Sequence, residues 1–89
     1  MSDLLQEWPN WWSWELELTP HLLKRMTDRH FNEVDLRTML SVATDYAIQL
    51  HTEGRFIIYT KHQNRLWEVI VEPDFTDRVL LVITAYSRD

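Results

Sequence analysis

The apolar side chains of this 89-residue chain change their spacing near residue 44, and that change restricts the fold more than any other feature. Before it, Leu22, Leu23 and Met26, then Val34, Leu36, Met39, Leu40 and Ala43, recur at the interval of amphipathic helices facing a core. After it come short runs rich in β-branched and aromatic residues, separated by turn residues, which read as strands. Helices precede strands, so the expected class is α+β. The predicted architecture is two short N-terminal helices packed on an antiparallel β-meander of about four strands.

Local signals place the boundaries. Thr19 can cap free N–H groups and Pro20 suits the first helical position, so a helix should run from there to about His30. Asn32 starts a second helix, with Glu33 and Asp35 where the helix dipole favours acids. Strands are expected over Tyr46–His51, Arg55–His62, Leu66–Glu72 and Arg78–Tyr86, and their short connections make neighbours antiparallel. In the last of these, Val79, Leu81, Ile83 and Ala85 form a wholly apolar set expected to face the core. Trp14 to Thr19 alternates apolar and acidic residues and reads as one more half-buried strand. Residues 1–13 form a Trp-rich extension and 14–89 a single domain. A chain of this length supports one core and not two.

Composition removes several function classes. With no Cys there is no disulfide frame or thiolate metal site, and a reducing, cytoplasmic setting is the natural expectation. A single Gly rules out a Gly-rich phosphate loop. No cofactor and no metal are expected, because the four His lack ligand spacing. The start at Met1-Ser2-Asp3 does not read as a secretory signal, and no apolar run is long enough to span a bilayer. The net charge of -5 argues against a long nucleic-acid track. Positive charge is nevertheless concentrated in two islands: Lys24, Arg25, Arg29 and Arg37, then Arg55, Lys61 and Arg65.

Within those islands, His21, Arg25 and Arg29 recur every four residues and should share one side of the first helix. A solvated polar face explains them; so does a phosphate site, where imidazole moves a proton and guanidinium grips two oxygens. Thr84 and Tyr86 end one face of the last strand, where a sheet-face site could begin, although a half-buried terminal aromatic is the simpler reading of Tyr86. Arg55 and His62 lie at the ends of one strand, and Glu68 and Glu72 read as the wet face of the next. Trp8, Trp11, Trp12 and Trp14 fall within seven residues. Burial, docking of a partner, and base stacking account for them in that order.

The run Thr19-Pro-His-Leu-Leu-Lys-Arg-Met-Thr-Asp-Arg29, the segments Asn32-Glu-Val-Asp-Leu-Arg37 and Gly54-Arg-Phe-Ile57, and Leu66-Trp-Glu-Val-Ile-Val-Glu-Pro73 with Thr84-Ala-Tyr86 together resemble a family. It is a family of small bacterial proteins of unknown function that begin a helix with H-x-x-x-R-M-x-x-R and are grouped with the RelE, barnase and colicin-type ribonucleases. The resemblance covers roughly residues 16 to 87. It implies metal-independent RNA cleavage, toxin-like and paired with an antitoxin. His21 would transfer protons, Arg25 and Arg29 would clamp phosphate, and Tyr86 and Thr84 would position RNA. Arg55 or His62 would add a cationic or acid group.

The leading expectation is therefore an endoribonuclease with RNA as substrate and a cognate antitoxin or other protein as partner. The alternative is a non-catalytic interaction module of the same fold, docking a partner or forming a homodimer through Trp8, Trp11 and Trp12.

Overall fold

The computed structural model describes residues 8–88, so the chain start, residues 1–7 of the Trp-rich extension and residue 89 lie outside it. A 3-10 turn over Asn10–Ser13 leads into β1 (Glu15–Leu18), α1 (Pro20–Asp28), α2 (Glu33–Ser41), β2 (Asp45–Ile48), β3 (Phe56–His62), β4 (Arg65–Asp74) and β5 (Val79–Ser87). No helix among the described residues is long and apolar enough to cross a membrane.

Both helices start where the capping residues stand. The Thr19 hydroxyl accepts from the Leu22 N–H at 3.2 Å and donates to the Val82 carbonyl at 3.0 Å, so one side chain begins α1 and fastens it to β5. At α2 the Asn32 side chain accepts from the Asp35 N–H at 2.8 Å, and Asp35 answers by accepting from the Asn32 N–H at 3.0 Å. This reciprocal box satisfies two N–H groups that the first helical turn leaves open.

The strands form one sheet in the order β1-β5-β4-β3-β2. Consecutive strands from β2 to β5 pair antiparallel, while β1 lies parallel against β5, Leu16 opposite Leu80 and Leu18 opposite Val82. The expected antiparallel sheet of about four strands is thus corrected to a mixed sheet of five. The alternation in Trp14–Thr19 revealed a strand; its partner lies some sixty residues away, and period alone names no partner. β4 runs on through Pro73, where a strand end was expected. Phe56 pairs with Val71, so beyond that point β4 has a neighbour only on the β5 side, where a residue without an N–H is tolerated.

Both helices pack on one face of the sheet. Leu22, Met26, Phe31, Leu36, Met39 and Leu40 meet Ile58, Trp67, Val69, Val71, Leu80, Val82 and Ala85 in a single core. The buried Thr60 hydroxyl donates to the Met39 carbonyl, tying the end of α2 to β3. Leu23 and Val34, expected in the core, are 51% and 71% exposed. Nine-residue helices present only a narrow stripe to a flat sheet, and these two positions fall beside it.

The expected core face of β5 is also corrected. Leu80 and Val82 are buried, and Leu81 and Ile83 are only half-buried, yet Ala85 is buried as expected. The parity changes because the register slips: Val71 opposes Val82, but its neighbour Ile70 opposes Thr84. Ile83 is the extra residue of a β-bulge, which turns every later side chain of β5 to the opposite face.

The candidate site on the open sheet face

The bulge decides what stands on the face that neither α1 nor α2 covers. Beyond Ile83, Thr84 and Tyr86 point to that face, and Ala85 to the core. The pairings lay out rows across the strands. Tyr86, Glu68, Tyr59 and Asp45 make one row, and Thr84, Ile70, Ile57 and Ala47 the row beside it. On the other side, Arg88 donates its backbone N–H to the Leu66 carbonyl at 2.8 Å and extends the ladder, so Arg88, Leu66 and Lys61 form a third row.

Glu68 is the centre of this surface. Its carboxylate accepts from the Tyr86 hydroxyl at 2.7 Å and is paired with the Arg88 guanidinium at 3.1 Å. The side chain is only 15% exposed. Burial pushes the Tyr86 hydroxyl up to about 12, and donation to Glu68 with the repulsion of its charge pushes the same way. Tyr86 therefore stays a proton donor at every physiological pH.

Arg29, at the C-terminal end of α1, reaches the β5 edge that β1 leaves open beyond Leu18. One of its terminal nitrogens donates to the Ala85 carbonyl at 2.8 Å and to the Thr84 hydroxyl at 3.3 Å. The first of these bonds satisfies an edge carbonyl and fastens the helix. The fork geometry of guanidinium leaves three further N–H groups without a bond among the described residues. Arg29, Thr84 and Tyr86, chosen from the sequence on separate grounds, are thus brought together. Glu68 and Arg88 join them.

Of the other expected site residues, Arg55 shares this face two rows from Glu68, and the rest lie elsewhere. His21 is exposed on the first turn of α1, about 12 Å along the axis from Arg29. Arg25 pairs with Asp28 at 3.3 Å. Arg55 binds Glu72 at 3.0 Å, one row beyond Ile70. His62 turns to the helix-covered side with its ring edge-on to Trp67, centroids 5.6 Å apart, and its Nε2 is buried without a partner among the described residues. Among the aromatics of the extension, Trp11 is 4% exposed and packs on Phe56 at 4.9 Å. Trp8 stacks on Trp12 at 4.2 Å and tilts against Tyr46 at 5.1 Å. Among the described residues, no three His, Asp or Glu side chains converge as a bound metal would require.

Sequence reasoning read Glu68 only as a wet strand position, yet a signal for it existed. Gln63 and Asn64 make a two-residue turn with φ of 52° and 65°, and such a turn sets His62 opposite Arg65. Counting back along both strands places Tyr59 opposite Glu68. No comparable count gives the β4–β5 pairing, because the bulge intervenes.

The chain matches no protein-family model, no curated protein and no solved structure.

Proposed function

We propose that this protein is a metal-independent endoribonuclease whose reacting groups stand on the open sheet face. The observation that carries the reading is the meeting of a shielded carboxylate, a tyrosine hydroxyl held protonated, and two arginines on the sheet face opposite α1 and α2. Cleavage of RNA needs these chemical types. Glu68 takes the proton of the ribose 2′-OH, and that oxygen attacks phosphorus. The bond from phosphorus to the 5′ oxygen breaks, and Tyr86 protonates the departing oxygen. The products are a 2′,3′-cyclic phosphate and a 5′-hydroxyl. Arg88 and Arg29 stabilise the negative charge that builds up on the phosphate oxygens.

In this reading His21 is outside the reacting set, and Thr84 with the neighbouring Ile57 supports the bound strand, while Ile70 between them is buried. The small area of positive charge suits a short stretch of RNA and accords with the acidic whole. Docking of a protein partner through Trp8, Trp11 and Trp12 would have to manage without the Trp11 ring, which is spent inside the core.

The test is an end-labelled RNA oligonucleotide beside DNA of the same sequence, with a chelator present. The full chain is expected to cut the RNA to cyclic-phosphate ends and to leave the DNA whole. Glu68→Gln, which keeps an oxygen for Tyr86 but removes the base, should slow cutting by about 10²- to 10⁴-fold. Intact RNA, or a Glu68→Gln variant as fast as the parent, overturns the proposal.

A further inference from the structure

A concavity lies on the helix-covered side, away from the sheet-face site. It has a volume of about 250 Å³ and is lined by Trp12, Trp14, Arg37, Ser13 and Ser41 over a floor of Leu16, Leu40 and Leu80. Three elements build it: the 3-10 turn with the start of β1, the last turn of α2, and β5 beneath. Its two indoles are each held by another ring. Trp12 stacks on Trp8 at 4.2 Å, and Trp14 meets Phe75 edge-to-face at 5.3 Å. Aromatic walls braced in this way cost little entropy when a ligand orders against them.

The polar groups are few and have capacity left. Arg37 gives Nε and one Nη2 hydrogen to a single oxygen of Glu33, at 3.0 and 2.8 Å. Three N–H groups of its fork remain without a bond among the described residues. The Ser41 hydroxyl donates to the Thr38 carbonyl at 2.8 Å, which leaves its oxygen as an acceptor. Ser13 is placed in the same way against the Asn10 carbonyl at 3.4 Å. The cleft therefore offers apolar ring faces, guanidinium donors and hydroxyl acceptors. Glu33 already neutralises Arg37, so a bulk anion gains little there. The volume falls just below the usual range for small-ligand sites, about 300–1,000 Å³, which suits one bicyclic ring.

We infer that this cleft binds a neutral, planar heteroaromatic ring of the purine class, stacked on Trp12 or Trp14, with its acceptors turned to Arg37 and its N–H groups to the serines. Guanine presents this combination, two neighbouring acceptors on one edge and N–H donors on another. The inference stands apart from the sheet-face proposal and uses none of its residues.

The experiment titrates guanosine into the full chain labelled with nitrogen-15, following the five tryptophan indole signals. Saturable shifts of the Trp12 and Trp14 signals are expected, with the Trp67 signal fixed as an internal control. Arg37→Ala removes a side chain 56% exposed whose bonds among the described residues go to Glu33 on the same helix face, so the core should be untouched. It should weaken guanosine about tenfold, the loss of one hydrogen bond to a charged donor. Cyclohexanol at the same concentrations should leave the signals in place. No shift with guanosine, an Arg37→Ala variant that binds as well as the parent, or equal shifts with cyclohexanol would each overturn the assignment.

Discussion

Tyr86 on β5 and Glu68 on β4 stand directly opposite one another in the antiparallel register, and the tyrosine hydroxyl donates to the carboxylate at 2.7 Å. The pair joins the two longest described strands on the face opposite α1 and α2. Its donor is held protonated to about 12 by burial and by the carboxylate it serves.

That shift has a direction in stability. A folded chain that binds the Tyr86 proton more tightly than the unfolded one is favoured while the proton is on. The contribution is complete below pH 10 and declines as pH rises from 10 towards 12. Ultraviolet titration of tyrosinate should show one of the three tyrosines ionising last, and Glu68→Gln should bring that step down. An unchanged titration in the variant would show that Glu68 is not what holds the proton.

Arg29 works as a fastener whether or not RNA is cut. Arg29→Ala deletes the part-buried 2.8 Å bond to the Ala85 carbonyl and the 3.3 Å bond to the Thr84 hydroxyl. The expected loss is about 1 kcal/mol, under the usual contribution of a bond to a charged group because water can partly replace it. In a domain of this size that lowers Tm by roughly 4–8 °C, measurable by thermal unfolding. His21→Ala, with an exposed side chain, should leave Tm within error.

Trp11→Ala tests how far the aromatic start belongs to the domain. The ring is 4% exposed and packs against Phe56 and Tyr46. Removing a buried Trp costs about 3–5 kcal/mol, a large part of the stability of a small domain. Chemical denaturation should show the midpoint collapsing for Trp11→Ala. A midpoint close to the parent's would place the ring outside the core.

The two helix caps should differ. Asn32→Ala loses a capping box at an exposed helix start, at a cost of about 1 kcal/mol. Thr19→Ala loses the cap of α1 and also the bond to the Val82 carbonyl at the bulge, so it should approach 2 kcal/mol. Equal midpoints for the two variants would mean that the second bond contributes nothing.

Helix starts were legible because capping is local: Thr19-Pro20 and Asn32 act on N–H groups within three residues of themselves. The two strands of the β3–β4 hairpin were legible too, but Gln63-Asn64-Arg65 was expected to turn the chain, whereas Gln63 and Asn64 alone make the turn and set His62 opposite Arg65. The parallel seat of β1 was not legible, nor was the exposure of Leu23 and Val34, because each depends on what other elements leave room for. The same holds for the site. The sequence marked Arg29, Thr84 and Tyr86 as chemically suitable, and passed over Glu68 because an acid on a strand is usually just solvated.

By itself, then, the order of residues determined the α+β class, the helix starts, the presence of strand-forming runs and the types of group available for chemistry. All of these follow from interactions between near neighbours. Tertiary structure alone decided which of those groups meet. Without the bulge, counting from the Asp74–Val79 pair would set Ala85 opposite Glu68 and send Tyr86 into the core side. One extra residue, Ile83, shifts that parity. The shift holds because Leu80 and Val82 on one side of the bulge and Ala85 on the other must all face the same core.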